Sequence, residues 1–139
     1  MAKVNNINQI SNIANKTIGK DAVVEFEENL KKSVEKLKDR VMREIPDTGY
    51  FRGFAEDFKN TNENVYAKAI SLAIQRDPVA DGRAHLSVNL LHPTMFLNAS
   101  SELAYGTREK ILEVMNSPDF MKRITEKINK LSVKLQNIE

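Results

Sequence analysis

Apolar residues recur at spacings of three and four between Asp21 and Glu44, which is the pattern of one face of an amphipathic helix. Asp21 follows Gly19 and suits the N-cap position. Pro46 marks the other boundary, because the residue before a proline avoids the helical region. The pattern therefore predicts a long helix over residues 21–45. The stripe consists of Val23, Phe26, Leu30, Val34, Leu37 and Val41.

A second apolar stripe predicts a helix at the end of the chain. Ser117 is expected at its N-cap, Pro118 at its first helical position and Asp119 near the positive end of its dipole. A shorter helix is expected just before it, from Thr107 to Met115. The last part of the stripe is also a candidate partner surface, since chain ends are seldom fully buried. The stripe residues are Phe120, Ile124, Ile128, Leu131, Leu135 and Ile138.

The middle of the chain shows alternation with a period of two. Leu86, Val88 and Leu90 alternate with polar neighbours, which predicts a strand. The segment VYAKAISLAI also alternates, although it is compatible with a helix as well. The turn residues of DPVADGR lie between the two segments. We therefore expect a hairpin over residues 65–75 and 84–92.

The remaining segments complete an α+β prediction. The first residues, with Val4, Ile7 and Ile10, are consistent with a strand leading into a short helix. Phe51, Phe54 and Phe58 have helical spacing interrupted by Gly53, and the polar KNTNEN is expected to be a loop. An antiparallel sheet would pack against the long helix and the C-terminal helix, because both helices need an apolar surface. The whole chain is predicted as one domain, 1–139, with an N-terminal strand or short helix (1–20), a long helix (21–45), a mainly β region (50–105) and C-terminal helices (107–139).

Composition and charge exclude several classes of protein. The chain has no cysteine, so disulfides, thiolate metal sites and cysteine nucleophiles are excluded. Its formal charge is only +2, with acidic and basic residues interleaved, whereas nucleic-acid binders usually concentrate positive charge in a patch. We expect no sequence-specific nucleic-acid binding. Signal-peptide and membrane-spanning patterns, which need long apolar runs, are not found in the sequence.

Asp47-Thr48-Gly49 is the motif with the most chemical interest. Aspartic proteases of the retroviral type use Asp-Thr-Gly, with two aspartates from two chains sharing a proton. However, a protease aspartate follows an apolar strand, whereas Asp47 follows Pro46 at a helix end. Proline first and glycine last also make a good turn. We therefore interpret the motif as a turn, with an aspartic-type hydrolase as a minor alternative.

Other candidate sites have weaker support. His85 and His92 are an odd number of residues apart along one predicted strand, so they should lie on opposite faces, which disfavours a shared metal. Asp77 and Asp81 flank Pro78, but the loop lacks the ligand series of a calcium site. Both are interpreted as turn residues. We predict no catalytic, cofactor-binding or metal site and no enzymatic activity.

Several short motifs follow one another in an order found in a known family. VNNINQISNI precedes the long helix, which ends in Pro46 to Gly49 followed by apolar residues and Arg52. Tyr105-Gly106-Thr107 comes three residues after Glu102, and Pro118-Asp119-Phe120 precedes the closing helix. In this order the motifs resemble the tail-completion, or head–tail joining, proteins of tailed bacteriophages. The chain departs from the family in three places. It lacks a residue between Pro46 and Asp47, its stretch from Asp77 to Ser101 has no counterpart, and the short helix between Gly106 and Pro118 is unusual.

The resemblance implies a structural role in a virion assembled in the host cytoplasm. Copies would form a ring at the head-proximal end of a tail, with tail-tube and head-connector proteins as partners. Pro46 to Gly49 and Tyr105 to Thr107 would be turn positions, and the loops from Asn60 to Asn64 and from Asp77 to Arg83 would face partners. The alternative is a cytoplasmic protein-binding adaptor or chaperone-like module that uses its helical faces.

Overall fold

The protein has an α+β fold, which confirms the predicted fold class. Its structure is a computed structural model that describes the backbone of residues 6–138 and the side chains of residues 21–138. The described elements form a four-stranded antiparallel sheet and three helices. In chain order they are α1 (Asn6–Glu44), β1 (Phe54–Lys59), β2 (Ala69–Arg76), β3 (Arg83–Leu91), β4 (Asn98–Thr107), α2 (Arg108–Met115) and α3 (Phe120–Gln136).

The first helix is longer than the sequence pattern predicts. α1 is continuous over 39 residues, so Gly19 and Asp21 lie inside it and do not mark its start. The predicted strand and separate short helix are therefore wrong for residues 6–20, whereas Val4 lies outside the described residues. A glycine inside a helix lowers the stability of the helix by only about 1 kcal/mol relative to alanine. Neighbouring residues of ordinary helix propensity can offset this cost. The stripe from Phe26 to Val41 is buried, as predicted.

The sheet is a simple meander in the order β1-β2-β3-β4. The predicted hairpin is confirmed as β2 paired with β3. VYAKAISLAI is a strand only from Ala69 onward, so the predicted first strand begins four residues too early and Val65 to Lys68 belong to the β1–β2 connection. Phe54 and Phe58 belong to strand β1 despite their helical spacing. A separation of four places two residues on one face of either element, so the spacing could not distinguish them. KNTNEN follows as the β1–β2 connection, apart from Lys59, which ends β1.

The fourth strand ends later than the mainly β region was expected to end. Tyr105 and Gly106 lie within β4, and Thr107 is its last residue. The turn role that the resemblance implied for these three residues is therefore wrong. The Thr107 side chain instead accepts a hydrogen bond from the Lys110 backbone N–H at 3.3 Å, so it caps α2. The short helix predicted from Thr107 to Met115 is confirmed as Arg108–Met115.

The closing helix begins two residues after the predicted proline. Asp119, not Ser117, occupies the N-cap position of α3. The Ser117 hydroxyl bonds to the Asp119 carboxylate, and the Phe120 N–H donates to the Ser117 carbonyl oxygen at 3.1 Å. Ser117 and Pro118 are therefore part of a tight connection between α2 and α3. The predicted stripe is buried from Phe120 to Leu135, whereas Ile138 is exposed.

All three helices pack on one face of the sheet. α1 lies against β1 and β2, α3 lies against β3 and β4, and α2 joins β4 to α1. The side chains that point toward the helices are almost fully buried, and the opposite side chains stay partly exposed. The opposite face of the sheet is thus open and carries mainly small or polar residues. The central core comprises Leu30, Leu37, Ile70, Leu72, Ile74, Leu86, Leu90, Ile124 and Ile128.

Candidate functional site

Asp47 lies in a bend between α1 and β1, as the turn interpretation predicts. Gly49 closes this bend with a φ of +92°, a conformation that favours glycine. The exposed Asp47 carboxylate accepts a hydrogen bond from Nη2 of Arg108 at 2.8 Å. Nη1 of Arg108 donates to the Ile45 carbonyl oxygen at the same distance. Arg108 therefore fastens the end of α1 to the beginning of α2.

Gly82 brings two predicted turns into contact. Its φ is +70°, and a Cβ atom placed on it would lie 2.2 Å from the Asp47 carbonyl oxygen. The β2–β3 turn can approach the Asp47 bend only because residue 82 has no side chain. The sequence identified both turns, but it held no sign that they touch.

The two histidines lie on opposite sides of the sheet, as predicted. His85 is on the open face, where its Nδ1 bonds to the Glu102 carboxylate and its ring centroid lies 4.5 Å from that of Tyr105. His92 is buried just after β3. Its Nδ1 accepts from the backbone N–H groups of Thr94 and Met95, each at 3.1 Å. No group of three or more acidic or histidine side chains within the described ranges is arranged to hold a metal ion.

Asp77 is held by the protein itself. Its carboxylate accepts hydrogen bonds from the Tyr105 hydroxyl and from the Val79 N–H. The Tyr105 hydrogen bond, followed by that from Val79, lowers the pKa of Asp77, while the same bond to Asp77 raises the pKa of Tyr105. Asp77 is thus a buried residue that organises the turn, whereas Asp81 is exposed.

A β-bulge in β4 assembles the cluster around His85. Leu86 pairs with Ala104 and Ser87 pairs with Glu102, so Leu103 is an extra residue. Leu103 and Ala104 both face the core, and the alternation restarts after them. Glu102 and Tyr105 consequently both reach the open face and flank His85. The consecutive apolar pair inside the polar segment SSELAYGT is the sequence signal for this bulge.

The open face carries a shallow polar groove next to this cluster. Its volume is about 350 Å³, and hydroxyl, amide and imidazole groups dominate its walls. The Ser100 hydroxyl is already bonded to the Asn89 side chain. The groove is therefore a hydrated polar surface that offers hydrogen bonds rather than apolar contact. Its lining includes Gln75, His85, Ser87, Asn89, Ser100 and Glu102.

Most of the β3–β4 connection is an exposed apolar segment, which we call the apolar tip (residues 93–97). Phe96 in this tip is fully exposed, and Met95 beside it is 42% exposed. The tip is nevertheless ordered by backbone hydrogen bonds, with the His92 N–H donating to the Leu97 carbonyl oxygen at 2.9 Å. Sequence reasoning missed this surface. The available signal was a pair of large apolar residues at the centre of a connection between two strands.

A groove separates α1 from α3 on the helical side of the protein. We call it the helix groove; its volume is about 480 Å³. A smaller cavity of about 270 Å³ continues it toward Asn116 and shares Lys31 and Met121 with it. Much of the wall is apolar, with charged side chains along the rim. The helix groove is lined by Val23, Phe26, Leu30, Met121, Thr125 and Asn129, among others.

Comparison of the chain with protein-family models, with curated proteins and with solved structures gives no match in any of the three. Within residues 6–138, no helix combines the length and apolar character needed to cross a membrane. The surfaces described above are therefore the basis for a functional proposal. The two most distinctive are the apolar tip and the helix groove.

Proposed function

We propose that this chain is a non-enzymatic structural protein of a bacteriophage virion, similar to tail-completion or head–tail joining proteins. In this role, copies form a ring at the head-proximal end of the tail and connect tail-tube and head-connector proteins. The fold is consistent with the proposal, because the resemblance implies a helix-flanked antiparallel sheet and the protein has one.

The exposure of Phe96 is the observation that carries this proposal. A large aromatic side chain at the tip of an ordered hairpin leaves apolar area in water that contact with a partner would bury. Aromatic residues, phenylalanine included, are also enriched at protein interfaces relative to the rest of the surface. An ordered tip loses little conformational entropy on binding, so the contact retains most of its favourable free energy.

The polar side chains of the candidate sites fit a structural role. Asp47 bonds to Arg108, Asp77 bonds to Tyr105 and His85 bonds to Glu102. Each of these bonds links segments that are distant in sequence. Such bonds stabilise connections between elements, which is what a subunit of a mechanical assembly requires.

The alternative function is a cytoplasmic adaptor or chaperone-like module, and the helix groove favours it. A groove between two helices with an apolar floor is the usual receptor for the apolar face of an amphipathic helix. In this alternative, the groove would receive a helix from a client protein. The apolar tip would then have no assigned role, so we favour the virion proposal.

A quantitative mass-spectrometric inventory of purified particles tests the proposal. The phage that encodes this chain is grown and its particles are freed of host protein by density-gradient centrifugation. We expect the chain to copurify with the particles at a low, fixed copy number, comparable to that of the portal protein and far below that of the tail-tube protein. An adaptor would be abundant in the infected lysate and absent from the particles.

A further inference from the structure

We propose that the apolar tip of one copy seats in the helix groove of a neighbouring copy, with Phe96 as the anchor between α1 and α3. This interface rests on the proposed ring function and names the surfaces that would form it. It commits to a second copy of this chain as the occupant of the groove.

Hydrogen bonds hold the backbone of the tip in a fixed position around Phe96. His92 is buried beneath it and accepts two backbone hydrogen bonds from Thr94 and Met95. The Leu97 N–H donates to the Met95 carbonyl oxygen at 2.9 Å, which turns the chain back toward β4. The backbone around Phe96 is thus held from both sides while its ring stays in water. This geometry is expected of an anchor that inserts into a preformed pocket.

The helix groove has room for the tip, and neither surface carries a net charge among the described residues. Phe26 and Leu30 provide an apolar floor, and about 480 Å³ is more space than a single phenylalanine ring needs. The described charges of the lining balance, with Glu27 and Glu126 on the acidic side and Lys31 and Lys122 on the basic side. Residues 93–101 carry no charge at all. A neutral tip would therefore bring no charge of its own into the groove that would need a partner there.

The tip and the groove lie on different parts of one subunit. The tip extends the end of the sheet formed by β3 and β4, whereas the groove lies on the helical side, between α1 and α3. Phe96 does not fill the groove of its own subunit, because it is fully exposed. A contact between copies through these surfaces is heterologous, since each copy offers a tip to one neighbour and a groove to the other. Heterologous contacts produce rings when the rotation that relates one copy to the next divides a full turn.

Cysteine cross-linking tests this interface, because the chain has no cysteine of its own. One preparation carries Met95→Cys, which leaves the Phe96 anchor in place, and a second carries Thr125→Cys in the groove. The two are mixed at high concentration without tails and oxidised, with a mass tag on one of them. We expect the mixed disulfide to form several-fold faster than a disulfide between two copies of either variant.

Val79→Cys provides the matched control for Met95→Cys. Val79 is also an exposed apolar residue in a hairpin connection, but at the opposite end of the sheet. Cross-linking of Val79→Cys to Thr125→Cys should be slow. Equal rates for the two pairs would overturn the interface, as would a predominant link between two Met95→Cys copies. Circular dichroism of each variant checks that it is folded.

A second measurement covers the case in which cysteine geometry prevents disulfide formation. At a concentration well above micromolar, where the wild type is expected to associate, Phe96→Asp should reduce self-association in sedimentation equilibrium several-fold, whereas Val79→Asp should not. Unchanged association of Phe96→Asp would contradict the interface. Neither measurement uses tails. If the disulfide between the tip variant and the groove variant forms but the chain is absent from purified particles, only the virion function is refuted. Presence in particles without the link would refute only the interface.

Discussion

Tyr105 connects two segments that are 28 residues apart, because its hydroxyl donates to the Asp77 carboxylate. The same ring also lies beside His85, which in turn bonds to Glu102. Asp77 and His85, which appeared in the sequence as possible ligands, therefore have partners within the protein. These hydrogen bonds are therefore expected to affect the stability of the fold rather than to support a chemical reaction.

The Asp77–Tyr105 bond predicts a pH-dependent contribution to stability. The pKa of Asp77 is lowered in the folded protein, so this carboxylate stabilises the fold above its unfolded pKa of about 3.9 and loses that contribution as the pH falls through the folded pKa. Tyr105→Phe should therefore destabilise the protein at pH 7, and the difference from wild type should narrow below about pH 4. Denaturant unfolding between pH 7 and the acid limit of folding measures this.

The control for this experiment is Tyr105→Phe in an Asp77→Asn background. The amide introduced by Asp77→Asn cannot titrate, so the effect of removing the hydroxyl should no longer vary with pH in the acid range. His85, Glu102 and Arg83 also interact electrostatically with this pair, and they are unchanged in both backgrounds. A difference between wild type and Tyr105→Phe that stays constant from pH 7 to pH 3 would show that the bond does not hold the Asp77 carboxylate.

Asp47→Asn should have little effect. The Asp47 side chain is 80% exposed, and an exposed ion pair such as that with Arg108 contributes about 0–1 kcal/mol. We expect a loss of less than about 1 kcal/mol in the free energy of unfolding and retention of biological activity. Peptide cleavage by the wild type that disappears in Asp47→Asn would instead support the aspartic-type hydrolase, since a protease needs this carboxylate.

At the scale of elements, α1 is held to the sheet by its buried stripe. Leu30 and Leu37 are almost completely buried in the core. Replacing either with alanine should cost about 2–5 kcal/mol, the range for deleting a buried leucine side chain. Met42 lies on the same helix but is 63% exposed, so Met42→Ala should change the free energy of unfolding by less than about 0.5 kcal/mol. Equal denaturation midpoints for all three variants would contradict the packing of this helix.

The strong periodic segments could be predicted from the sequence. The stripe of α1 is compatible only with a helix, and the alternation in β3 is compatible only with a strand. Turn-forming residues separate β2 from β3. Three features escaped prediction for physical reasons. Gly19 is tolerated inside α1, a spacing of four is ambiguous at Phe54 and Phe58, and the bulge at Leu103 interrupts the period of β4. In each case the local pattern alone is compatible with more than one backbone arrangement.

The loops expected to face partners stay predictions, and the structure shows how their own side chains are held. The loop from Asn60 to Asn64 was selected as a partner surface because it is polar, yet its asparagines form bonds within the loop. The loop from Asp77 to Arg83 includes Asp77, which is buried. Phe96 was overlooked because an apolar residue in sequence is normally assigned to the core. Only the three-dimensional arrangement shows that this side chain lies in water.

At the scale of the whole molecule, the sheet separates two different surfaces. One face holds all three helices and the helix groove, and the other is an open polar face. The apolar tip extends the end of the sheet formed by β3 and β4. The N–H of Tyr66 donates to the Ser132 hydroxyl at 2.7 Å, which fixes α3 to the β1–β2 connection near the same end of the sheet. A subunit with a tip and a groove in fixed relative positions is suited to repeat around an axis.

The site of binding on a phage tail tests the proposed function most directly. Labelled protein is incubated with tails that lack it, and the mixture is imaged by electron microscopy. Each subunit contact can be weak in solution, because a tail end holds several subunits at high effective concentration. We predict a subunit that is mainly monomeric at micromolar concentration and a ring of label at the head-proximal end of each tail. Even decoration along the tube, or no binding at all, would contradict the joining function and favour the adaptor.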